Sequence, residues 1–323
     1  MPKRPRIPTA MTAALKSYER AAMGILQDFV SAIEATAPPP MIYHYTNDAG
    51  LQGIIQSGKL WFSDIFGLND PSELRHGLKV AIDVLKSRIT DARPEIATFA
   101  SQLERFDIDA GIEAAGHFFI CCFSGDGDDL GQWRAYADDG RGYALGFETA
   151  ALEDAFCRRK GKPIPQHSTF PVTYDDAELT RIQIALVDHI DPLISLPRSV
   201  RIGSAAMHAY MSELLVYHAM NVIRGVMFFK HEGYKNEKEF RFQQLFRRDR
   251  PAPDVKYRRR PHSLVRYREF DWRALAGHSL KEIVIGPAAD KIKAERFAGD
   301  CMAAFHTAGG VKITYSKIPY RSG

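Results

Sequence analysis

The chain has 323 residues, of which 45% are hydrophobic and 25% charged, a composition typical of a globular protein with a sizeable core. No apolar run approaches the roughly 18 residues that span a bilayer. Polar residues follow the basic N-terminal ones, where a signal peptide needs an apolar stretch. We therefore expect a soluble, cytoplasmic protein without a membrane partner.

The four cysteines form no CxxC pair and no Cys/His cluster with zinc spacing. Cys121 and Cys122 lie in an apolar run over 118–123, which predicts buried thiols. We expect no metal site. The sequence also lacks a P-loop, a GxGxxG and a GxSxG motif, which disfavours the common nucleotide-binding and serine-hydrolase folds.

Residues 9–36 place apolar side chains at helical spacing: Leu15, Tyr18, Ala22, Ile25, Phe29 and Ile33. The prolines at 38–40 end this helix. We interpret 1–40 as an N-terminal helix with a proline-rich linker. The helix either packs on the main domain or binds a partner.

After the prolines, a short strand is predicted over 41–45, a helix over 48–56 and a second strand over 60–63. Asp70, Pro71 and Glu73 then carry three helix-start signals: a cap, a proline at the first position and an acid at the third. A helix should therefore start there.

Further strands are predicted over 118–123, 143–147, 169–174, 239–246, 264–270, 282–285 and 311–315. Further helices are predicted near Trp133 and over 176–190, 199–226 and 290–306. The strands do not alternate regularly with helices. This order favours an α+β fold, with mixed or antiparallel central sheets surrounded by helices in a single domain over 41–323.

The first candidate site is the strand that contains His44. Alternate residues of a strand share a face, so His44 and Thr46 should point one way, and Tyr43 and Tyr45 the other. Ser63, on the next strand, could lie beside His44. The alternative is an interior histidine that is only hydrogen-bonded.

The second candidate is an acidic strand. If 237–242 is extended, Glu237, Glu239 and Arg241 lie on one face. Such a group can keep one carboxylate ionised and tune the other for proton transfer. The alternative is a solvated strand edge with an ordinary ion pair.

The third candidate combines Trp133 and Tyr136 with the Gly- and Asp-rich loop at 124–129. Aromatic rings beside such a loop suit a planar ligand, and Arg141 between two glycines could reach a phosphate. The alternative is that both aromatic residues belong to the core.

A basic segment covers 247–268, where nine basic and two acidic residues give a local charge of +7 within a chain of net charge +4. Cationic contacts to phosphates and stacking by interleaved tyrosines would suit nucleic acid. The alternative is a solvated hairpin. The candidate nucleic-acid-binding residues are Tyr257, Arg258, Arg259, Arg260, Arg266 and Arg268.

Several motifs together resemble a bacterial family called domain of unknown function 2971. They are Tyr43-His44-Tyr45-Thr46, the segment 57–63, Leu68-Asn69-Asp70-Pro71-Ser72-Glu73, Cys122-Phe123-Ser124, Gln132-Trp133-Arg134-Ala135-Tyr136, Glu237-Lys238-Glu239-Phe240-Arg241, 283–287 and 318–321. The resemblance spans about 41–321, in order. It implies no particular activity.

A more distant resemblance is to ADP-ribosyltransferases, which begin with a Tyr-His strand, a short helix and a second strand and place a catalytic glutamate far downstream. It implies a split sheet core and NAD as co-substrate. By this resemblance His44 holds the adenine-side ribose and Ser63 supports the nicotinamide side. Glu239, or else Glu237, stabilises the cationic transition state. The implied NAD-binding residues are His44, Tyr45, Thr46, Ser63, Trp133, Tyr136 and Arg241.

We therefore expect an ADP-ribosyltransferase-like enzyme that cleaves NAD and modifies a nucleic-acid or protein acceptor, in phage defence or a toxin-like role. One alternative is a different nucleotide-processing hydrolase that uses Glu237 and Glu239. The other is a non-enzymatic nucleic-acid or partner-binding module of a defence or stress system. The oligomeric state stays open.

Overall fold

The computed structural model of the chain describes residues 7–67, 72–199, 203–247, 252–260, 262–306 and 309–321. Its helices are α1 (Thr9–Glu34), α2 (Asp48–Ser57), α3 (Ser72–Lys86), α4 (Pro94–Glu104), α5 (Ile108–Ala115), α6 (Leu130–Tyr136), α7 (Thr149–Cys157), α8 (Asp176–Ser199), α9 (Ser204–Val226), α10 (Trp272–Ala276) and α11 (Lys291–Phe305). Short 3-10 helices cover Ile65–Gly67, Glu232–Glu237 and Gly277–Ser279. Within these ranges no helix is long and apolar enough to cross a membrane.

The strands are β1 (Met41–Thr46), β2 (Lys59–Asp64), β3 (Gly116–Ser124), β4 (Tyr143–Glu148), β5 (Arg158–Arg159), β6 (Lys162–Pro163), β7 (His167–Pro171), β8 (Glu239–Arg247), β9 (Lys256–Arg260), β10 (Ser263–Asp271), β11 (Leu280–Ile285) and β12 (Lys312–Tyr315). The expected α+β class is confirmed. The predicted cap residues Asp70 and Pro71 lie outside the described residues.

The chain divides into two compact units. The helical unit comprises 1–36, 69–116 and 173–232, and the sheet unit comprises 37–68, 117–172 and 233–323. This division differs from the expected grouping of 41–323 as one domain after a separate 1–40. The reason is that the helices inserted between the strands have apolar faces that pack with one another and with α1.

The helical unit has a hydrophobic core to which α1 contributes one face. Along α1, residues spaced three or four apart are buried: Met11, Leu15, Tyr18, Ala22, Leu26 and Phe29. Ile25 and Ile33 are partly buried at its edge. The helix packs on α8 and α9, so its apolar face is used within the unit. Each fully buried large side chain contributes about 1.5–3 kcal/mol.

The sheet unit contains a mixed sheet with the strand order β12-β11-β4-β1-β3-β2-β10-β9, while β8 pairs with both β3 and β7. β11 and β12 are parallel, whereas β1 is antiparallel to β3 and β4. One face of the sheet carries the main apolar core around Ile42, Phe62 and Phe242. Tyr45 packs in a smaller cluster around Trp133.

Candidate active site

Strands β1 and β2 meet β3 one after the other along the same edge. β1 pairs through Tyr43 with Ser124, and β2 pairs through Ser63 with Ile120. Backbone groups of successive residues point to opposite edges of a strand. Gly125 N–H donates to the Lys238 carbonyl, just before β8, at 2.8 Å, so β8 occupies the other edge. The sheet is therefore split beside Cys122, between the two pairing positions.

His44 fills this split. Its Nδ1 lies 3.1 Å from the backbone carbonyl of Cys122, and its ring contacts Phe123 edge-on with centroids 5.7 Å apart. A carbonyl can only accept a hydrogen bond, so Nδ1 carries the proton. Burial lowers the pKa of His44, and the bond to Cys122 offsets only part of this shift. The neutral imidazole therefore presents Nε2 as a hydrogen-bond acceptor.

Glu239 and Arg241 form a buried ion pair on β8. Arg241 Nε donates to Glu239 Oε1 at 2.7 Å and Nη2 donates to Oε2 at 3.2 Å. The two side chains are only 6% and 4% exposed. This contact confirms that they share one face of the strand. Bidentate pairing fixes the plane of the carboxylate.

Cys122 links the split to this ion pair. Its thiol is hydrogen-bonded to Glu239, and burial, followed by the negative charge of Glu239, raises the pKa of Cys122 well above its ordinary value. The thiol is therefore protonated and donates to the carboxylate. The same residue thus contacts His44 through its carbonyl and Glu239 through its side chain.

The condition on which Glu237 was expected to share the face of Glu239, an extended 237–242, is not met. Glu237 ends a 3-10 helix and does not belong to β8. Lys238 has a φ of 43°, in the left-handed region, so strand alternation does not extend back across it. The backbone carbonyl of Glu237 accepts a hydrogen bond from Ser124 Oγ at 2.7 Å, which ties this turn to β3.

Ser63, His44 and Glu239 are the residues that we expect to converge. They adjoin β3 between positions 120 and 124, but from two sides. Ser63 lies opposite Ile120 and therefore shares its face with Cys122 and Glu239. His44 pairs with Leu145, a residue of the main core, and so emerges from the other face. Its ring reaches the split in the plane of the sheet. Ser63 and Glu239 are thus brought to one face, with His44 between the strands.

Tyr45 and Trp133 are built into the protein interior. Trp133 is fully buried, packs edge-on against Tyr45 at 4.8 Å and donates from Nε1 to Asp128 at 2.8 Å. The Tyr45 hydroxyl donates to the Asp126 carbonyl and accepts from Asp129 N–H. These contacts fix the loop at 125–129 and leave no open ring face for a ligand.

The other residues of the first and third candidate sites lie around this interior. Thr46 is partly buried, and its hydroxyl lies where a Cβ on Gly50 would be. Tyr136 is 38% exposed at the end of α6. Arg141 donates to Asp138 at 3.0 Å, so an ion pair engages the arginine proposed for a phosphate.

The described part of the basic segment forms the β9–β10 hairpin, whose cations point to both faces. On one face Arg266 pairs with Asp64 at 3.1 Å, and Arg268 donates to Gln244 and to the Pro253 carbonyl. Tyr257 and Arg259 alternate onto this face. On the other face Arg258 Nη2 donates to Ser63 Oγ at 2.8 Å, and Arg260 follows two residues later.

The sequence reasoning did not assign Cys122 or Trp61 to the site. It also did not predict the hydrogen bond between Arg258 and Ser63. Strand alternation already places Trp61 on the face of Ser63, so that residue could have been found. The bond from Arg258 joins residues far apart in sequence, and no local pattern signals it.

A family model described as "Protein of unknown function (DUF2971)" matches residues 132–242 of the chain. The match includes Glu239 and Arg241 and ends before the basic hairpin; His44 and Ser63 precede it. No curated protein and no solved structure matches the chain.

Proposed function

We propose that the sheet unit is an ADP-ribosyltransferase-like enzyme that cleaves NAD and transfers ADP-ribose to a macromolecule. The observation that carries this proposal is that Ser63 and Glu239 lie on one face of β3 between Ile120 and Ser124, while His44 bonds to the Cys122 carbonyl between the strands. A histidine acceptor and an arginine-paired glutamate beside the same strand suit a sugar whose hydroxyl groups donate hydrogen bonds.

In the proposed reaction, the bond between ribose C1′ and the nicotinamide nitrogen breaks, and its electron pair leaves with nicotinamide. A nucleophile of the acceptor bonds to C1′ and releases its proton to solvent. The transition state carries positive charge on the ribose, which a fixed carboxylate stabilises. Glu239 is the anion that we propose for this role.

His44 would accept a hydrogen bond from a ribose hydroxyl at Nε2, and Ser63 would support the nicotinamide side. In the proposed complex, a Glu239 oxygen accepts a hydrogen bond from a ribose hydroxyl. Because the carboxylate is only 6% exposed, NAD binding requires this region to open. A bacterial toxin-like or phage-defence role in the cytoplasm is the setting that the distant resemblance suggests.

The direct test is release of nicotinamide from NAD, measured by chromatography with protein and nucleic-acid acceptors present. We expect turnover by the wild-type chain and none by Glu239→Gln. A matched control is Glu148→Gln, which removes an exposed carboxylate paired with Lys281 and should leave turnover unchanged. No release by the wild-type chain with any acceptor would refute the proposal.

A second variant, His44→Asn, tests the site independently in case Glu239→Gln does not fold. In His44→Asn the side-chain amide keeps a donor near the position of Nδ1, and thus the bond to the Cys122 carbonyl, but has no group at the position of Nε2. We expect a folded protein with impaired NAD turnover. Normal turnover would remove His44 from the site. Free ADP-ribose formed in step with nicotinamide would indicate a hydrolase instead.

A further inference from the structure

Trp61 is an exposed aromatic residue on the sheet face that carries Ser63. It is 45% exposed, although both its neighbours in β2, Leu60 and Phe62, are buried. Its ring packs against Tyr267, with centroids 4.5 Å apart, and the guanidinium of Arg258 lies 5.9 Å from the ring centroid. One side of the ring is thus supported by protein, while a large part of it faces solvent.

The surroundings of Trp61 are positively charged. Lys59 and Lys256 share a single carboxylate, Glu269, at 3.0 and 2.9 Å. Arg258 and Arg260 form no ion pair with a described residue. Four cations therefore lie on this face, and Glu269 pairs with two of them.

Arg258 in particular lacks a counter-charge. Its Nη2 donates to the neutral Ser63 hydroxyl at 2.8 Å, and its buried Nε has no acceptor among the described residues. Burial, followed by the charge of Arg260, lowers the pKa of Arg258. Two neighbouring guanidinium groups without a carboxylate between them form a site that an anion would stabilise.

We infer that the stacking surface, defined as Trp61, Tyr267, Lys59, Lys256, Arg258 and Arg260, binds single-stranded nucleic acid. An unpaired base stacks on Trp61, and the adjoining phosphates contact Arg258 and Arg260. Bases stack on aromatic side chains irrespective of sequence, and cationic side chains follow the backbone. On strand β9 alternate side chains lie roughly 7 Å apart on one face, so the cations form a line rather than a single point.

Nucleic-acid binding by the stacking surface does not depend on the proposed function. The role of the bound nucleic acid as the acceptor of ADP-ribose does rest on it. Ser63 connects the two sites, because it accepts the hydrogen bond from Arg258 and lies two residues from Trp61. A single-stranded nucleic acid bound on the stacking surface would therefore reach the split in the sheet. This places a nucleophile of a base or sugar beside the ribose of a bound NAD.

The test is fluorescence anisotropy with a labelled oligonucleotide of about 12 nucleotides, within the size range of single-strand sites, in the absence of NAD. We expect Trp61→Ala to weaken binding about tenfold. Arg260→Ala should weaken it and reduce the slope of log Kd against log salt by about 0.7. A duplex of the same sequence should bind more weakly.

The hairpin offers matched controls on its opposite face. Tyr257 is 62% exposed, and Arg259 lies next to Arg260, so Tyr257→Ala and Arg259→Ala remove an exposed aromatic residue and an arginine from the other side. Both should retain near wild-type affinity. Equal losses on both faces, preference for duplex or no binding at all would overturn the inference. Binding without nicotinamide release would support the stacking surface and refute only the enzyme.

Discussion

The buried pair of Glu239 and Arg241 allows a sharp prediction about stability. Glu239→Gln keeps the shape of the side chain but removes the carboxylate charge that pairs with Arg241, a residue only 4% exposed. Removing one partner of a buried ion pair costs about 3–5 kcal/mol. A unit of this size loses about 2–4 °C of melting temperature per kcal/mol, so the melting temperature should fall by roughly 10 °C.

The assay is intrinsic fluorescence during thermal or urea unfolding. The chain has three tryptophans, Trp61, Trp133 and Trp272, and all lie in the sheet unit. Their emission therefore reports the unfolding of that unit separately from the helical unit, whose unfolding circular dichroism follows.

The control is an exposed ion pair of the same unit, Glu148 with Lys281, in which both side chains are 45% exposed. Glu148→Gln should cost about 0–1 kcal/mol. The double variant Glu239→Gln with Arg241→Met removes both charges and should lose less stability than Glu239→Gln alone. Equal, small losses for Glu239→Gln and Glu148→Gln would refute the reasoning, because the pair would then contribute no more than a surface contact.

Two further predictions concern the helical unit. His218 is fully buried and bonded to the Tyr18 hydroxyl at 2.7 Å, and burial lowers the pKa of His218 from 6.5 to about 3. The unfolded state alone takes up this proton, so stability is complete above pH 6.5 and falls towards pH 3 by at most about 1.4 kcal/mol per pH unit. His218→Gln should show a shallower pH dependence in urea unfolding followed by circular dichroism, and an unchanged slope would contradict this. A Cβ at position 77 would overlap Val226, so Gly77→Ala should cost about 1–3 kcal/mol. Gly24→Ala, with open space around it, should stabilise by up to about 1 kcal/mol, and equal effects of the two variants would refute the packing argument.

Elements with a strong local pattern could be predicted from the sequence. The helix at α1, the strand–helix–strand unit from 41 to 64 and the buried strand at β3 all followed from periodicity and from Gly, Pro and Asn signals. Asn47 caps α2 by accepting from Gly50 N–H, and Gly58 ends it with a φ of 69°. Such signals act within a few residues, so no other part of the fold is needed to read them.

The errors arose where distant parts of the chain decide the structure. The turn at Lys238 is stabilised by contacts with the segment after β3, where Lys238 pairs with Asp126 at 2.9 Å. Nothing in the local sequence marks a residue with positive φ there, so the sequence alone is compatible with an extended 237–242. The split of the sheet beside Cys122 likewise depends on the pairing registers of three strands, which the hydrophobic pattern alone does not fix.

The tautomer of His44 sets the chemical preference of the split in the sheet. While Nδ1–H is held by the Cys122 carbonyl, only a neutral ring leaves a lone pair on the opposite nitrogen. Adding a proton would turn that lone pair into a second N–H donor. A ligand hydroxyl would then have to accept a hydrogen bond instead of donating one, and a ligand anion would be favoured. A lower pH would thus change the preferred ligand at this position from a hydrogen-bond donor to a hydrogen-bond acceptor.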